Sequence, residues 1–564
     1  DPRNTNKTMH SFVTIQANCG AAVALTHDTY QTAKSAAGLA SAAASFFKAR
    51  SVQAQWPNMT WHSLSSTIAT AAKANKPPPA PPSAPAADDV AFLQYTSGST
   101  SEPKGVTITH GNLRHNLSVI VRSLQAETDT VVVSWLPQYH DMGLIGAYLG
   151  VLYCGGSGHY MAPLTFIKCP ALWVQAMSHF KATHVQGPNF AYKLTARKWL
   201  AAGGAASGGQ LDLSALRHIF NAAEPVTSSA MDAFVSAFAP HGLKPSAFHP
   251  GFGMAESSVY ICDGGRARVR VDKAALETQG VARPLAWWAH RPDADVLAEA
   301  KNGSGAAGSV AVGSWSAADG VEGGVPTSGY LELVGCGPVD RNADIAIAIA
   351  RVDEEEEGVQ GGGDAAEQGE GKQSSPSDAS SVALQEVPEG TVGELLVSSA
   401  SIAAGYWGQP QATAQAFGAR LCRLGADEAD ETQWMRSGDL CFVLGGELFV
   451  AGRAKDLIIV RGRNHFPQDI EGSVEAAAPT AVRPGCVAAF QIPQRVVSAA
   501  TAALAAKGIA GAATGGGAPA ATPPAQGSED TLVVVAEVRT GTDSSALAGV
   551  AASVAASVAR EHGV

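Results

Sequence analysis

An α/β architecture with more than one domain is predicted by three features of this 564-residue chain. Strand-like and helix-like patterns alternate up to about residue 262, which argues for parallel strands packed on helices. The chain is longer than one hydrophobic core usually supports, and its 46% hydrophobic content is ample for two or more. A shorter unit of mixed strand and helix pattern follows Arg453.

Val90 to Tyr95 and Val106 to Ile108 read as short buried strands on either side of a loop. Leu113, Leu117, Ile120, Val121 and Leu124 repeat at helical spacing, so a helix follows His110. Val131 to Leu136 is a strand that Pro137 ends. Thr391 to Ser398 and Glu447 to Ala451 read as strands of a β-rich region. In the last unit, Leu457 to Val460 is a strand, Pro467 to Ala478 a helix, Thr531 to Val538 a strand and Ala546 to Arg560 a helix. Between these lie low-complexity stretches near 77–87, 201–210, 299–328, 353–387 and 498–530. They cannot bury enough apolar surface to offset their ordering entropy, so they are expected to be loops inserted into the scaffold. The acidic run Asp353 to Glu357 within one of them reads as a solvated loop rather than a metal site.

The charge of -11, from 39 basic and 50 acidic residues, and the lack of a Lys/Arg-rich run argue against a nucleic-acid partner. Eight scattered cysteines without C-x-x-C spacing read as reduced, mostly buried thiols. No apolar run reaches the length of a membrane span, and no targeting segment is visible, so a cytoplasmic or organellar-stroma location is expected. The chain does not begin with Met, which suggests a processed or excised piece.

The loop Thr96-Ser97-Gly98-Ser99-Thr100-Ser101-Glu102-Pro103-Lys104-Gly105 carries the first chemical signal. Small hydroxyl residues and glycines let backbone N–H groups surround a phosphate closely, and Lys104 adds a cation. It is not a Walker loop, since G-x-x-x-x-G-K-[ST] is absent.

With its flanks, Leu93-Gln94-Tyr95 and Val106, this run resembles the signature of acyl-adenylate-forming enzymes. Phe92 to Tyr95 and Thr109 to Leu113 resemble one branch, the fatty acyl-AMP ligases, as do Val334 to Gly337, Gly405-Tyr406-Trp407 and His465 to Glu471. Further blocks follow in the family's order. In Leu136 to Leu144 the resemblance places His140 near the acyl carboxylate and phosphates. Ala223, Glu224 and Pro225 would pack on adenine. In Gly251-Phe252-Gly253-Met254-Ala255-Glu256, Phe252 would stack on adenine and Glu256 would bind Mg²⁺, for which a carboxylate is a suitable hard ligand. Asp439, in Trp434 to Asp439, would accept hydrogen bonds from the ribose hydroxyls. Arg453 would contact ribose and Lys455 would be an interdomain pivot. Lys104, His140 and Glu256 are thus the expected catalytic residues, with Thr96, Ser97, Gly98, Ser99 and Thr100 around the phosphates.

The resemblance implies a large multi-subdomain adenylation domain over 1–452, with parallel sheets flanked by helices and a small β-barrel, and a small α+β domain over 453–564. Both ends look truncated, and no residue takes the role of the family's C-terminal catalytic lysine. It implies activation of a fatty acid with ATP and Mg²⁺, followed by transfer to an acyl carrier protein. Coenzyme A is the alternative acceptor, and a non-catalytic adenylate-binding or lipid-sensing domain is the alternative from outside enzymology.

Overall fold

The computed structural model describes residues 5–28, 31–32, 34, 59–74, 83–96, 102–204, 211–290, 315–317, 328–352, 383–426, 428–460, 462–493, 530–539, 541–542 and 544–564. Its centre is a six-stranded sheet in the order Cys262–Asp263, Phe248–Phe252, His218–Ala222, His184–Pro188, Val131–Ser134, Ser157–Tyr160. All neighbours are parallel except the Cys262–Asp263 edge. The strands are short, and the inner ones are largely buried, as parallel strands covered by helices must be, whereas the edge strand Ser157–Tyr160 stays partly exposed. Helices Ala171–Phe180, Asn189–Ala201 and Ser228–Phe238 cover one face, where Trp173, Tyr192, Phe234, Phe238 and Phe248 form the largest core cluster. The expected helix after His110 runs His110–Ser123, and Thr109 closes it with a reciprocal capping box to Asn112.

Next to this sheet lie two four-stranded sheets. One is ordered Trp315–Ala317, Pro284–His290, Ala267–Asp272, Tyr330–Val334, and the other Ile345–Ala350, Gly393–Ser399, Met435–Leu444, Glu447–Arg453. Cys336 N donates to Leu448 O at 2.8 Å and Leu448 N to Gly337 O at 3.0 Å, stitching the two together where a small β-barrel is expected. After Arg453, the hairpin Ile458–Val460/Arg463–His465 and the pair Val482–Pro493/Asp530–Val538 pack with helices Pro467–Ala477 and Leu547–His562. Ile458, Ile470, Val474, Ala489 and Val558 form their own core. Lys273 pairs with Asp469 at 2.6 Å, and His465 with Glu277 at 3.1 Å, joining this unit to the helix Lys273–Gln279.

Three low-complexity stretches are more structured at their margins than composition suggests. Trp315–Ala317, inside the 299–328 stretch, pairs antiparallel with Trp288 to His290. Ala383–Gln385, inside the 353–387 stretch, pairs parallel with Arg420–Cys422, and Leu384 and Val387 are buried. Helix Asn189–Ala201 also takes in the first residue of the 201–210 stretch. In the first two cases a few apolar residues find a partner strand far along the chain, which a local composition window cannot register. The rest of those stretches, the acidic run 353–357, residues 75–82 and residues 498–529 lie outside the described residues. All eight cysteines are free. Cys262, Cys336, Cys422 and Cys441 are buried, and the other four are partly or fully exposed, fewer buried than expected. Among the described residues, no helix is long and apolar enough to cross a membrane.

Candidate active site

The leaving ends of three adjacent parallel strands bring distant motifs together. Gly187 aligns with Asn221, Pro188 with Ala222, and Asn221 with Pro250. Residues 223–225, expected to pack on adenine, and the block 251–256 therefore emerge side by side, where an open parallel sheet binds its ligands. Ala223 has φ 71°, a left-handed conformation that a β-carbon disfavours, and Ser258, just beyond Glu256, has φ 61°. Backbone strain of this kind clusters at ligand sites. A Cβ on Gly253 would lie 1.8 Å from Val259 O, so this turn admits only glycine. Phe252 and Met254 are half-buried against the core, and Ala255 packs on Val106, Ile108 and Ala403.

Glu224 accepts a hydrogen bond from Phe190 N at the start of helix Asn189–Ala201, where a carboxylate is favoured. Glu224 is exposed at its surface, yet partial desolvation of the carboxyl outweighs that bond and raises its pKa. Pro225 is exposed beside it. Asn221 Oδ1 is buried with no hydrogen-bond partner among the described residues.

The loop expected to hold phosphates joins strands Val90–Tyr95 and Gly105–Thr109, and Thr96 N donates to Lys104 O at 3.1 Å at its base. Ser97, Gly98, Ser99 and Thr100 lie outside the described residues. Lys104 Nζ stands 4.6 Å from the centroid of the Tyr406 ring, and Tyr406 Oη donates to Glu256 Oε1 at 2.9 Å. One aromatic side chain thus bridges two of the three expected catalytic residues. The Gly405-Tyr406-Trp407 block was legible only as a family resemblance, and no spacing rule joins residues 150 positions apart.

Asp439 and Arg453 face each other across the antiparallel pair Met435–Leu444/Glu447–Arg453, with Arg453 Nε 2.9 Å from Asp439 Oδ1. Burial raises the Asp439 pKa to about 6 against the opposing pull of Arg453, and the negative charge of Glu256 adds to the rise. Buried Glu394, which no motif singled out, holds this turn by accepting from Arg436 Nε at 2.9 Å and Gly438 N at 3.0 Å. His140 follows strand Val131–Ser134 and pairs with Asp141 at 2.7 Å, which raises its pKa. Lys455 is exposed in the turn Ala454–Asp456. Among the described residues, no hydrogen bond or ion pair joins His140 or Lys455 to the other site residues.

The donor set suits a nucleotide and a hard cation. It combines a lysine, a half-exposed carboxylate at Glu256, a buried carboxylate at Asp439 and an aromatic face at Phe252. Two other His/carboxylate clusters lie among the described residues, and neither suits a metal. The His218 and His249 rings stack with centroids 3.7 Å apart and planes at 22°, so one ion cannot lie in both ring planes as ligation requires. In the Glu277–His465–His562 cluster, Lys273 Nζ lies 2.9 Å from His562 Nδ1 and supplies the cation itself.

The sequence profile of the AMP-binding enzyme family matches residues 2–295, just over half of the chain. The chain belongs to the AMP-binding enzyme family. Its similarity to JamA of Moorena producens, named a medium-chain-fatty-acid acyl-carrier-protein ligase, is 33% identity over 398 residues, 70% of this chain and 54% of that one. FadD32 of Mycolicibacterium smegmatis, named a long-chain-fatty-acid–AMP ligase, is 30% identical over 420 residues, 72% of this chain and 54% of that one. The chain spans about half the length of the curated relatives it matches. Among solved structures it is similar to a fatty acyl-adenylate ligase from L. pneumophila in complex with acyl adenylate and pyrophosphate. The TM-score is 0.57 and the identity 25%, over 99% of this chain and 75% of that one. A structure from a study of such ligases of E. coli and L. pneumophila matches with TM-score 0.67 at 24% identity, which bears on fold alone.

Proposed function

We propose that this family member activates a fatty acid by adenylation. A carboxylate oxygen attacks the α-phosphorus of ATP in line, the bond to the bridging oxygen breaks, and pyrophosphate leaves. The observation that carries this reading is the convergence of Lys104, Tyr406 and Glu256 beside the strand ends of Ala223 and Phe252. The names of the relatives support the fatty-acid substrate.

Lys104 and the loop residues Thr96 to Thr100 hold the phosphates and offset their charge as pyrophosphate departs. Phe252 and the segment Ala223-Glu224-Pro225 bound the adenine. Asp439 accepts hydrogen bonds from ribose, with Arg453 beside it. His140 orients the acyl carboxylate. Glu256 would hold a Mg²⁺ ion, which neutralises phosphate charge when bound. No side chain needs to form a covalent bond, so positioning supplies most of the catalysis. We further propose a division at 452/453, with Lys455 as the pivot between a large domain and a small mobile one.

The test is pyrophosphate release by the full-length protein with ATP, Mg²⁺ and C8 to C18 acids. Acid-dependent release is expected, and its absence contradicts the reading. The acceptor proposed is the phosphopantetheine thiol of an acyl carrier protein, in line with the name of JamA. Related proteins carry the name putative fatty-acid–CoA ligase, so the same assay is run with carrier protein and with CoA. Acyl-CoA as the faster product would replace the carrier-protein reading.

A further inference from the structure

The geometry points to Tyr406 as the positioning residue that locks the metal-binding carboxylate of Glu256 to the phosphate-binding hairpin of Lys104. This rests on the adenylation reading and deepens it.

The segment carrying Tyr406 joins the two halves by its backbone. Thr107 N donates to Gly405 O at 2.9 Å, Ala404 N to Thr107 O at 3.0 Å, and Trp407 N to Gly105 O at 2.8 Å. These bonds add 404–407 as a short third strand along the hairpin edge that follows Lys104. On its other side, Ala403 N donates to Glu256 O at 2.8 Å, fixing the backbone of the metal-binding turn. The Tyr406 side chain then completes the tie, with its hydroxyl on Glu256 Oε1 and its ring under Lys104 Nζ.

The ring is packed on one side, and the backbone that carries it is fixed at two points. Phe417 meets it edge-on at 5.3 Å and 74°. Tyr406 N donates to Thr413 Oγ1 at 2.9 Å. Gly405 has φ +130°, and a Cβ there would lie 2.4 Å from Thr413 Cγ2, so the chain turns tightly just before the tyrosine. Tyr406 spends its proton on one carboxylate oxygen, Oε1, and leaves Oε2 to face a cation. Removing an outer partner of this kind typically costs 10- to 100-fold in metal affinity.

The experiment is a Mg²⁺ titration of α,β-methylene-ATP binding, read by calorimetry on the full-length protein, since this analogue cannot be cleaved at the reacting bond. Tyr406→Phe keeps the ring under Lys104 and removes the hydroxyl. It should raise the Mg²⁺ concentration for half-maximal tightening about tenfold while leaving the metal-free nucleotide affinity within twofold. In a Glu256→Gln background the same change should have no further effect. Tyr406→Leu should in addition weaken metal-free binding, because the ring no longer faces Lys104. A Mg²⁺ midpoint unmoved by Tyr406→Phe, or an equal loss with and without metal, would overturn the assignment. If Tyr406→Phe does not fold, Thr413→Ala should shift the midpoint in the same direction by a smaller factor, and no shift there overturns it. Wild-type protein that fails to bind the analogue at any Mg²⁺ concentration would overturn the adenylation reading itself and this inference with it.

Discussion

The two ends of the central sheet are both polar, and they are built to opposite purposes. Towards the entering ends, His184 Nε2 meets Leu124 O at 2.8 Å, and Asp263, on the antiparallel edge strand opposite Gly251, gathers the His218 side chain at 2.8 Å, Tyr260 at 2.7 Å and Arg341 at 3.2 Å. Burial lowers the His218 pKa to about 3. Burial works to raise the Asp263 pKa, but the hydrogen bond from His218, the nearby His249 ring and the Arg341 charge outweigh it, so the carboxyl titrates below its ordinary range. Most groups there are spent on one another, although His249 Nδ1 lies 3.6 Å from Asp263 with no hydrogen bond among the described residues. At the leaving ends, about 13 Å away along five-residue strands, the backbone is strained at Ala223 and Asn221 Oδ1 lacks a partner among the described residues, while on a neighbouring sheet buried Asp439 is held at a raised pKa to which the Glu256 charge adds. Polarity and burial alone do not mark a ligand site. Groups held ready at a structural cost do.

The contrast can be broken by substitution, and the largest effect is expected at the inert end. Asp263→Ala leaves His218 and Arg341 without their partner and should cost about 3–5 kcal/mol in urea denaturation, with the affinity for α,β-methylene-ATP unchanged. A loss of nucleotide affinity in the still-folded protein would show that the entering ends are not merely structural. At the working end, Glu256→Gln should slow pyrophosphate release about 100-fold with little change in the urea midpoint.

The raised pKa of Asp439 gives a pH signature. In the proposed reading ribose hydroxyls bind the ionised carboxylate, so nucleotide affinity should be level above pH 7 and fall about tenfold per pH unit as pH drops below about 6. Stability runs the other way. A carboxyl whose folded pKa is raised favours folding below its unfolded value of 3.8 and loses that contribution as pH rises towards 6. Asp439→Asn should therefore raise the melting temperature at pH 7 while weakening nucleotide binding and removing its acid-side decline. The smallest effect is expected at Ala223→Gly, which relieves the left-handed strain and should stabilise the protein by about 1 kcal/mol, with pyrophosphate release within a few-fold of wild type.

The working end was legible in the sequence to a degree that the inert end was not. Phe252, Glu256, Asp439 and Arg453 lie in compact, ordered blocks; Phe252 and Arg453 end their strands, Glu256 lies in a turn and Asp439 lies within the strand Met435–Leu444. Asp263, His218 and His249 stand alone in the sequence, and their meeting depends on sheet order, which no local pattern encodes. The same limit hid Tyr406 and Glu394, whose partners lie 150 and 42 residues away. Element periodicity worked where strands and helices bury one face, as in His110–Ser123 and Pro467–Ala477. It failed at Trp315–Ala317 and Ala383–Gln385, where three residues pair with a remote strand inside a biased stretch.

The central claim is that the leaving ends of these strands form the adenylate site. Hydrogen–deuterium exchange on the full-length protein, with and without a non-hydrolysable acyl-sulfamoyl-adenosine, tests it most directly. The account predicts slowed exchange in the segments holding Ala223, Phe252 to Glu256, Tyr406 and Asp439, with no change around His184, His218 and Asp263. Tight binding that protects the entering ends and leaves the segments of Glu256 and Asp439 unchanged would contradict it.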